Sequence, residues 1–350
     1  MSKRQTSTTS AAGKPSKPRP PPMVPRPSSS ILLLSPTNQV LLLHRVQTST
    51  SFASAHVFPG GNLSTYHEGD LIPPPESPLR HVDGPAYRLA AIRETFEESG
   101  ILLALDSSGR LLEVEDATRE KGRKKIHAGK VKFADWVKGL GGTPDVDGLL
   151  PFTRWVTPTN MPKRFSTQMY LYMLPLEAKD GVRKEVVVPT PTHDGGLEHT
   201  AATFDSISNW LAAAREGRII LFPPQYYLLS VLSEFIKPGE GDYKGQREEV
   251  RRFLSKTPTG REGDPTALIP WGEKVMSPTA MFMLSGDGRL VMGIDKPGPE
   301  LKDSGRGGDK DRVVLVDFTK EGPKRLEVRS REEVLRLRRE AEEEEAKGKL

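Results

Sequence analysis

The chain has 350 residues, a formal net charge of +5 and no cysteine. The missing thiols exclude disulfides and thiolate metal sites, leaving only hard cations held by oxygen or histidine. The charge is too small for this length to mark a nucleic-acid binder, and no apolar run approaches the ~18 residues of a membrane-spanning helix.

From Met1 to His67 there is no acidic residue, and residues 1–28 are basic and rich in Ser, Thr and Pro. That composition predicts a disordered tail. An acid-free, Ser-rich amino terminus also suits a mitochondrial transit peptide, although the prolines between Pro15 and Pro27 deny it a continuous helix. Gly348-Lys349-Leu350 approaches a peroxisomal address without matching it. An intracellular, reducing compartment is expected, whether mitochondrial, cytoplasmic or peroxisomal.

Residues 30–34 and 39–45 predict paired strands, with Pro36-Thr37-Asn38 as the turn. Phe58-Pro59-Gly60-Gly61 follows. Two glycines let backbone approach a ligand closely and offer N–H donors, the plainer reading being an ordinary turn. Residues 63–85, with five prolines from Pro73 to Pro85, predict an exposed loop. Pro85 suits the first turn of the helix that comes next. On that helix Leu89, Ile92 and Phe96 gather on one side, while Glu94, Glu97 and Glu98 project within ~100° of one another on the other. Like charges at these spacings oppose one another by roughly 0.2–0.5 kcal/mol per pair. A divalent cation would turn that repulsion into ligation, since Mg²⁺ takes carboxylate oxygens and keeps waters for a phosphate. A solvated acidic face is the alternative. Arg93 is expected to pair with and orient a helix carboxylate, or to form a simple surface ion pair, and Gly100 to end the helix.

Residues 105–130 read as polar and solvent-facing, and 131–140 as a short helix. Strands are predicted at 152–156, 167–174 and 185–188, and helices at 205–216, capped near Ser206 and Ser208, and at 226–235. The mixture predicts an α/β (α+β) domain over residues 29–238. Residues 239–350 predict a small β-rich extension, charged and turn-rich to 264, with no catalytic constellation. Its strands fall at 266–269, 280–284, 289–293 and 312–318, with a hairpin turn at Gly286-Asp287-Gly288, a loop at 297–310 and a charged helix at 331–347.

The run Arg93-Glu94-Thr95-Phe96-Glu97-Glu98-Ser99-Gly100-Ile101 resembles the second half of the Nudix hydrolase box, G-x5-E-x7-R-E-U-x-E-E-x-G-U, with Thr95 where an aliphatic residue is usual. Gly61 is similar to the box glycine but lies 32 positions before Arg93 rather than 14. The glutamate expected six residues after it is His67, with Glu68 and Asp70 close by. An insertion inside the box, here about 62–85, resembles the coenzyme A diphosphatase-like branch. So do residues 151–158 (PFTRWVTP), 161–167 (MPKRFST) and 219–224 (IILFPP), so that the resemblance spans roughly residues 30–238.

The resemblance implies a Nudix-type α/β/α sandwich with a mixed sheet. It implies Mg²⁺ or Mn²⁺ held by Glu94, Glu97 and Glu98, with Gly60 and Gly61 close to the metal–phosphate cluster and Lys163 and Arg164 on substrate phosphates. One carboxylate, or Glu198 from a later loop, would take the proton, an exposed loop acid being the plainer reading of Glu198. The implied reaction cleaves the diphosphate of coenzyme A or an acyl-CoA to 3′,5′-ADP and a phosphopantetheine. NADH and ADP-ribose are rival substrates, and the missing box glutamate leaves open a catalytically weak binding module. No nucleic-acid partner or membrane span is expected, and the sequence leaves the oligomeric state unknown.

Overall fold

The computed structural model describes residues 23–46, 54–176, 192, 199–237, 239, 241–260 and 263–347. Its first half runs β1 (Arg26–Leu34), β2 (Val40–Arg45), β3 (His56–Val57), β4 (Gly60–Asn62), α1 (Pro85–Ser99), β5 (Ala104–Leu105), α2 (Asp116–His127), α3 (Phe133–Gly139), β6 (Thr143–Pro144), β7 (Leu150–Val156) and β8 (Phe165–Met173). Then come β9 (His199–Asp205), α4 (Ile207–Arg215), α5 (Pro223–Leu232), α6 (Tyr243–Ser255), β10 (Val275–Met276), β11 (Thr279–Met283), β12 (Leu290–Ile294), β13 (Asp309–Thr319), β14 (Gly322–Ser330) and α7 (Arg331–Lys347).

The main sheet is mixed, in the order β10-β7-β8-β1-β2-β3, with β4 also on β1 and β9 on β2. Its spine is the parallel pair β1 and β8, in register from Arg26↔Phe165 to Leu34↔Met173. The other edge of β1 is shared: its first half takes β4 (Ser28↔Asn62, Ser30↔Gly60), and its last residue meets β2 (Leu34↔Val40). Both faces of the sheet are covered, which explains the unbroken apolar run from Ile31 to Leu34. Alternation sends Ile31, Leu33, Leu41, Leu43, Tyr170 and Tyr172 toward α1, α2 and α3. Leu32, Leu34, Val40, Leu42, Met169 and Leu171 face α4 and α5.

A second, antiparallel sheet, β11-β12-β13-β14, lies on the far side of α4 and α5. Its Met292, Ile294, Val314, Val316 and Leu326 join the same buried cluster as Leu32 and Leu34. Val291, Val313 and Leu315 point the other way, onto Val334 of α7. The layers are therefore α1–α3, main sheet, α4–α5, second sheet, α7.

Several expectations need correction. Residues 239–350 are not a mere addition to a finished domain. The two-residue β10 pairs in parallel with β7 (Val275↔Arg154, Met276↔Trp155), and the second sheet completes the core under α5. The expected tail reaches too far, because Arg26–Ser28 already pair with β8; residues 1–22 lie outside the described residues, as does the strand expected at 185–188. The polar stretch after residue 105 contains α2, whose Arg123 and Ile126 are buried. The charged stretch after 238 contains α6, whose buried Arg247 donates to Asn38 Oδ1 (2.7 Å) and to the carbonyls of Ser35 and Leu174 (both 2.6 Å), locking the β1–β2 turn. The strand expected at 266–269 is a 3₁₀ turn, Pro265–Leu268, capped by Asp264. The loop expected at 63–85 is not simply exposed: it holds 3₁₀ turns at Gly69–Leu71 and Pro78–His81 and buries Glu68.

Candidate active site

Helix α1 begins at Pro85 and ends at Gly100, whose φ of 74° is a left-handed cap and whose N–H returns to the Phe96 carbonyl at 2.9 Å. Tyr87, Ala91, Ile92 and Phe96 are fully buried against the sheet. Thr95 is equally buried, and its hydroxyl is satisfied by donating to the Ala91 carbonyl at 2.9 Å. Arg123 of α2 donates to the Glu97 carbonyl (2.8 Å) and so covers the carboxyl end of the helix.

Arg93 is the hub of the acidic side. Its Nε donates to Glu68 Oε1 (2.9 Å), and its Nη1 to Glu94 Oε1 and Glu97 Oε1 (both 2.8 Å). Its Nη2 reaches the Asn62 carbonyl (3.1 Å) and Glu68 Oε2 (3.3 Å). Burial opposes the charge of Arg93, but Glu94, Glu68 and Glu97 outweigh it and hold its pKa above the ordinary arginine value. Burial pushes the Glu94 carboxyl up to about 7, with Glu97 adding to the shift and Arg93 working against it. Glu68, one residue after His67, thus pairs with Arg93 from beside the expected glutamate position, while the His67 Nδ1 accepts from the N–H of Phe133 at 3.2 Å.

The remaining contacts tie the helix to its neighbours. Gly60 N–H donates to Glu98 Oε2 at 2.7 Å, and His199 Nε2 lies 3.6 Å from Glu98 Oε1. His127 Nδ1 sits 3.2 Å from Glu97 Oε2. A Cβ on Gly61 would come within 2.6 Å of the Glu94 carboxylate, and one on Gly60 within 2.3 Å of the Ser29 carbonyl oxygen. The two glycines therefore let the strand approach the helix carboxylates, where the sequence suggested close approach to a ligand. Glu68, Arg123, His127 and His199 went unassigned in the sequence. Only Glu68 left a signal there, as an acid next to the expected position.

Arg164 departs most from its expected place. It is turned inward, donating to Glu300 Oε1 (2.5 Å) and to the carbonyls of Met23 (2.7 Å) and Thr157 (2.9 Å). This joins the start of β8 to the C-terminal segment, and the Nη2 of Arg164 has no hydrogen-bond partner among the described residues. Lys163 is exposed beside it. Glu198 lies outside the described residues.

Among the described residues, no three His, Asp or Glu side chains are gathered ready to hold a metal. Arg93 draws off Glu94 and Glu97, and Gly60 holds Glu98. The donor chemistry nevertheless fits a hard divalent cation: it is oxygen-only, and the raised carboxyl of Glu94 is one that a cation would return to its ionised form.

Sandwich and acidic helix together are similar to those of a Nudix domain. The family model described as the NUDT19 Nudix domain matches residues 79–232. The acyl-coenzyme A diphosphatase NUDT19 of Gallus gallus is 26% identical over 317 residues, covering 76% of this chain and 80% of that protein. Its namesake from Xenopus laevis is 28% identical over 240 residues, covering 56% of this chain and 60% of that protein. Among solved structures, a Nudix hydrolase from Alicyclobacillus acidocaldarius aligns at 22% identity with a TM-score of 0.48, over 59% of this chain and 90% of its own. Over residues 79–232 the chain matches the Nudix model, and beyond that segment it is similar to the acyl-coenzyme A diphosphatase-like relatives.

Proposed function

We propose that the protein hydrolyses the diphosphate linkage of coenzyme A or an acyl-CoA, releasing 3′,5′-ADP and the corresponding phosphopantetheine. The observation that carries this reading is the Arg93 hub, which fixes Glu94 and Glu97 from one guanidinium while Gly60 fixes Glu98. The names of the chicken and frog relatives support the substrate. Glu94, Glu97 and Glu98 would hold Mg²⁺ or Mn²⁺, as Nudix hydrolases generally do; a bound divalent ion supplies charge stabilisation at the diphosphate and a water of lowered pKa. Arg93 keeps the carboxylates in position, and one helix carboxylate, or Glu198, accepts the proton of the attacking water. The alternative, a catalytically weak module, was suggested by a missing box glutamate; the Glu68–Arg93 pair supports the hydrolase reading over it.

The test is release of 3′,5′-ADP from coenzyme A with and without Mg²⁺. Glu97→Gln is expected to abolish turnover while leaving the unfolding temperature within a few degrees of wild type. Wild-type protein that cleaves none of coenzyme A, NADH or ADP-ribose with either metal would return the binding-module reading to the lead.

A further inference from the structure

Arg154 of β7 is fully buried, and among the described residues its Nε and Nη2 have no hydrogen-bond partner. Its guanidinium lies over the Tyr87 ring, 4.5 Å from the centroid, and its Nη1 is 3.3 Å from Ser166 Oγ. Among the described residues no carboxylate forms an ion pair with it. Asp83, an acid close enough to favour its charge, already accepts from Arg88 (2.6 Å) and the Tyr170 hydroxyl (2.5 Å). A second cation faces the same place: Arg306 donates to the His81 carbonyl, and Arg154 helps to lower its pKa, chiefly a burial effect, to about 10. The His81 ring closes the group, with Nδ1 2.9 Å from Ser166 Oγ. The first turn of α1, which starts beside this point, has neither an acidic residue nor a side-chain cap. A buried guanidinium without an anion costs several kcal/mol and is poorly explained by stability alone.

The location is informative. His81 comes from the box insertion and Arg306 from the C-terminal segment, so the two parts of the chain beyond a minimal sandwich meet over Arg154. Tyr87 precedes Glu94 by seven residues on α1, which sets the spot about 10 Å along the helix from the carboxylates. Ser166 is next to Thr167, whose hydroxyl meets Ser28 Oγ at 2.7 Å, opposite Asn62 of the glycine strand.

We propose that Arg154, Arg306, His81 and Ser166 form an anion subsite that takes a phosphate monoester of the substrate, set apart from the scissile diphosphate. The inference rests on the diphosphatase reading for its place in catalysis, but binding alone can test it. His81 and Arg306 are half-buried, whereas Arg154 and Ser166 are buried.

The experiment measures binding of 3′,5′-ADP and 5′-AMP, which differ by one phosphate, to the full chain without metal. Charge-assisted bonds from a buried guanidinium predict about ten- to hundredfold tighter binding of 3′,5′-ADP. In Arg154→Met the ratio should fall toward one, and the unliganded variant should unfold no earlier than wild type, because a lone buried charge has been removed. If that variant does not fold, Arg306→Gln decides, with an expected loss of about tenfold in the ratio. A wild-type ratio near one, or a ratio unchanged in the folded variant, overturns the subsite. With coenzyme A and dephospho-coenzyme A as substrates, the discrimination should lie in KM and shrink about tenfold in Arg306→Gln. A protein that cleaves neither but keeps the binding ratio refutes the hydrolase reading and leaves the subsite standing.

Discussion

Glu68 and Arg93 meet at 2.9 Å across 25 positions of sequence, both almost wholly shielded from water. Breaking one partner of a buried ion pair typically costs about 3–5 kcal/mol. Because Arg93 keeps Glu94 and Glu97, Glu68→Ala is expected near the low end, about 3 kcal/mol by urea denaturation. Turnover should fall with it, and Glu68→Gln should be milder on both measures. A neutral Glu68→Ala would mean that the insertion contributes no fixed charge to the helix.

Gly61→Ala makes a different prediction. The added methyl would overlap the Glu94 carboxylate, a side chain that can swing away, so the fold survives and the carboxylate geometry does not. Diphosphatase activity should drop at least about tenfold, the cost of roughly 1.4 kcal/mol in the barrier, with an unchanged far-UV spectrum. At Gly60 the same change strikes the Ser29 backbone, and loss of soluble protein is expected.

Acid should weaken the fold through two histidines. Burial lowers both His56 and His81 to about 4 from 6.5, with His44 adding to the first effect and Arg154 to the second. Below 6.5 the unfolded chain binds protons that the native state refuses, so their contribution is lost as pH falls from about 6.5 to about 4. Glu94 acts in the opposite sense, since its raised pKa adds stability below 4.5 that is lost as pH rises through about 7. The histidine part is therefore read as a difference: the unfolding temperature of a His56→Gln/His81→Gln double variant should exceed wild type increasingly toward pH 4. Parallel curves would contradict it.

Removing residues 275–347 should prevent folding. The cut takes Met276, Met292, Ile294, Val314, Val316 and Leu326 out of the cluster that covers Leu32 and Leu34. It also removes Asp309, which accepts from the buried Tyr227 hydroxyl at 2.7 Å. At about 1.5–3 kcal/mol for each buried aliphatic, the loss rivals the ~5–15 kcal/mol stability of a typical domain. A soluble fragment ending at residue 274 with native near-UV dichroism would refute this.

Local pattern made much of this legible. The spacing of Leu89, Ile92 and Phe96 located α1, Gly100 its end, and alternation the strands β7, β8 and β11–β13. Long-range partners escaped. Arg247 reaches Asn38 across 209 positions, so α6 reads as solvated charge from sequence alone. In α2 only Gly122, Arg123 and Ile126 are buried, too few to show a stripe. With two residues, β10 has no period at all, and its absence from the sequence reading is why the C-terminal third looked separable. At the site, the surplus residues within the box hid Glu68, and nothing local foretells Glu300 as a partner of Arg164.

The position of α4 and α5, clamped between two sheets, closes that whole side of the molecule to visitors. Trp210 donates to the Val40 carbonyl at 2.9 Å on one side of the clamp, while Leu326 of β14 presses from the other. The acidic helix lies on the opposite face of the main sheet, against β1 and β4.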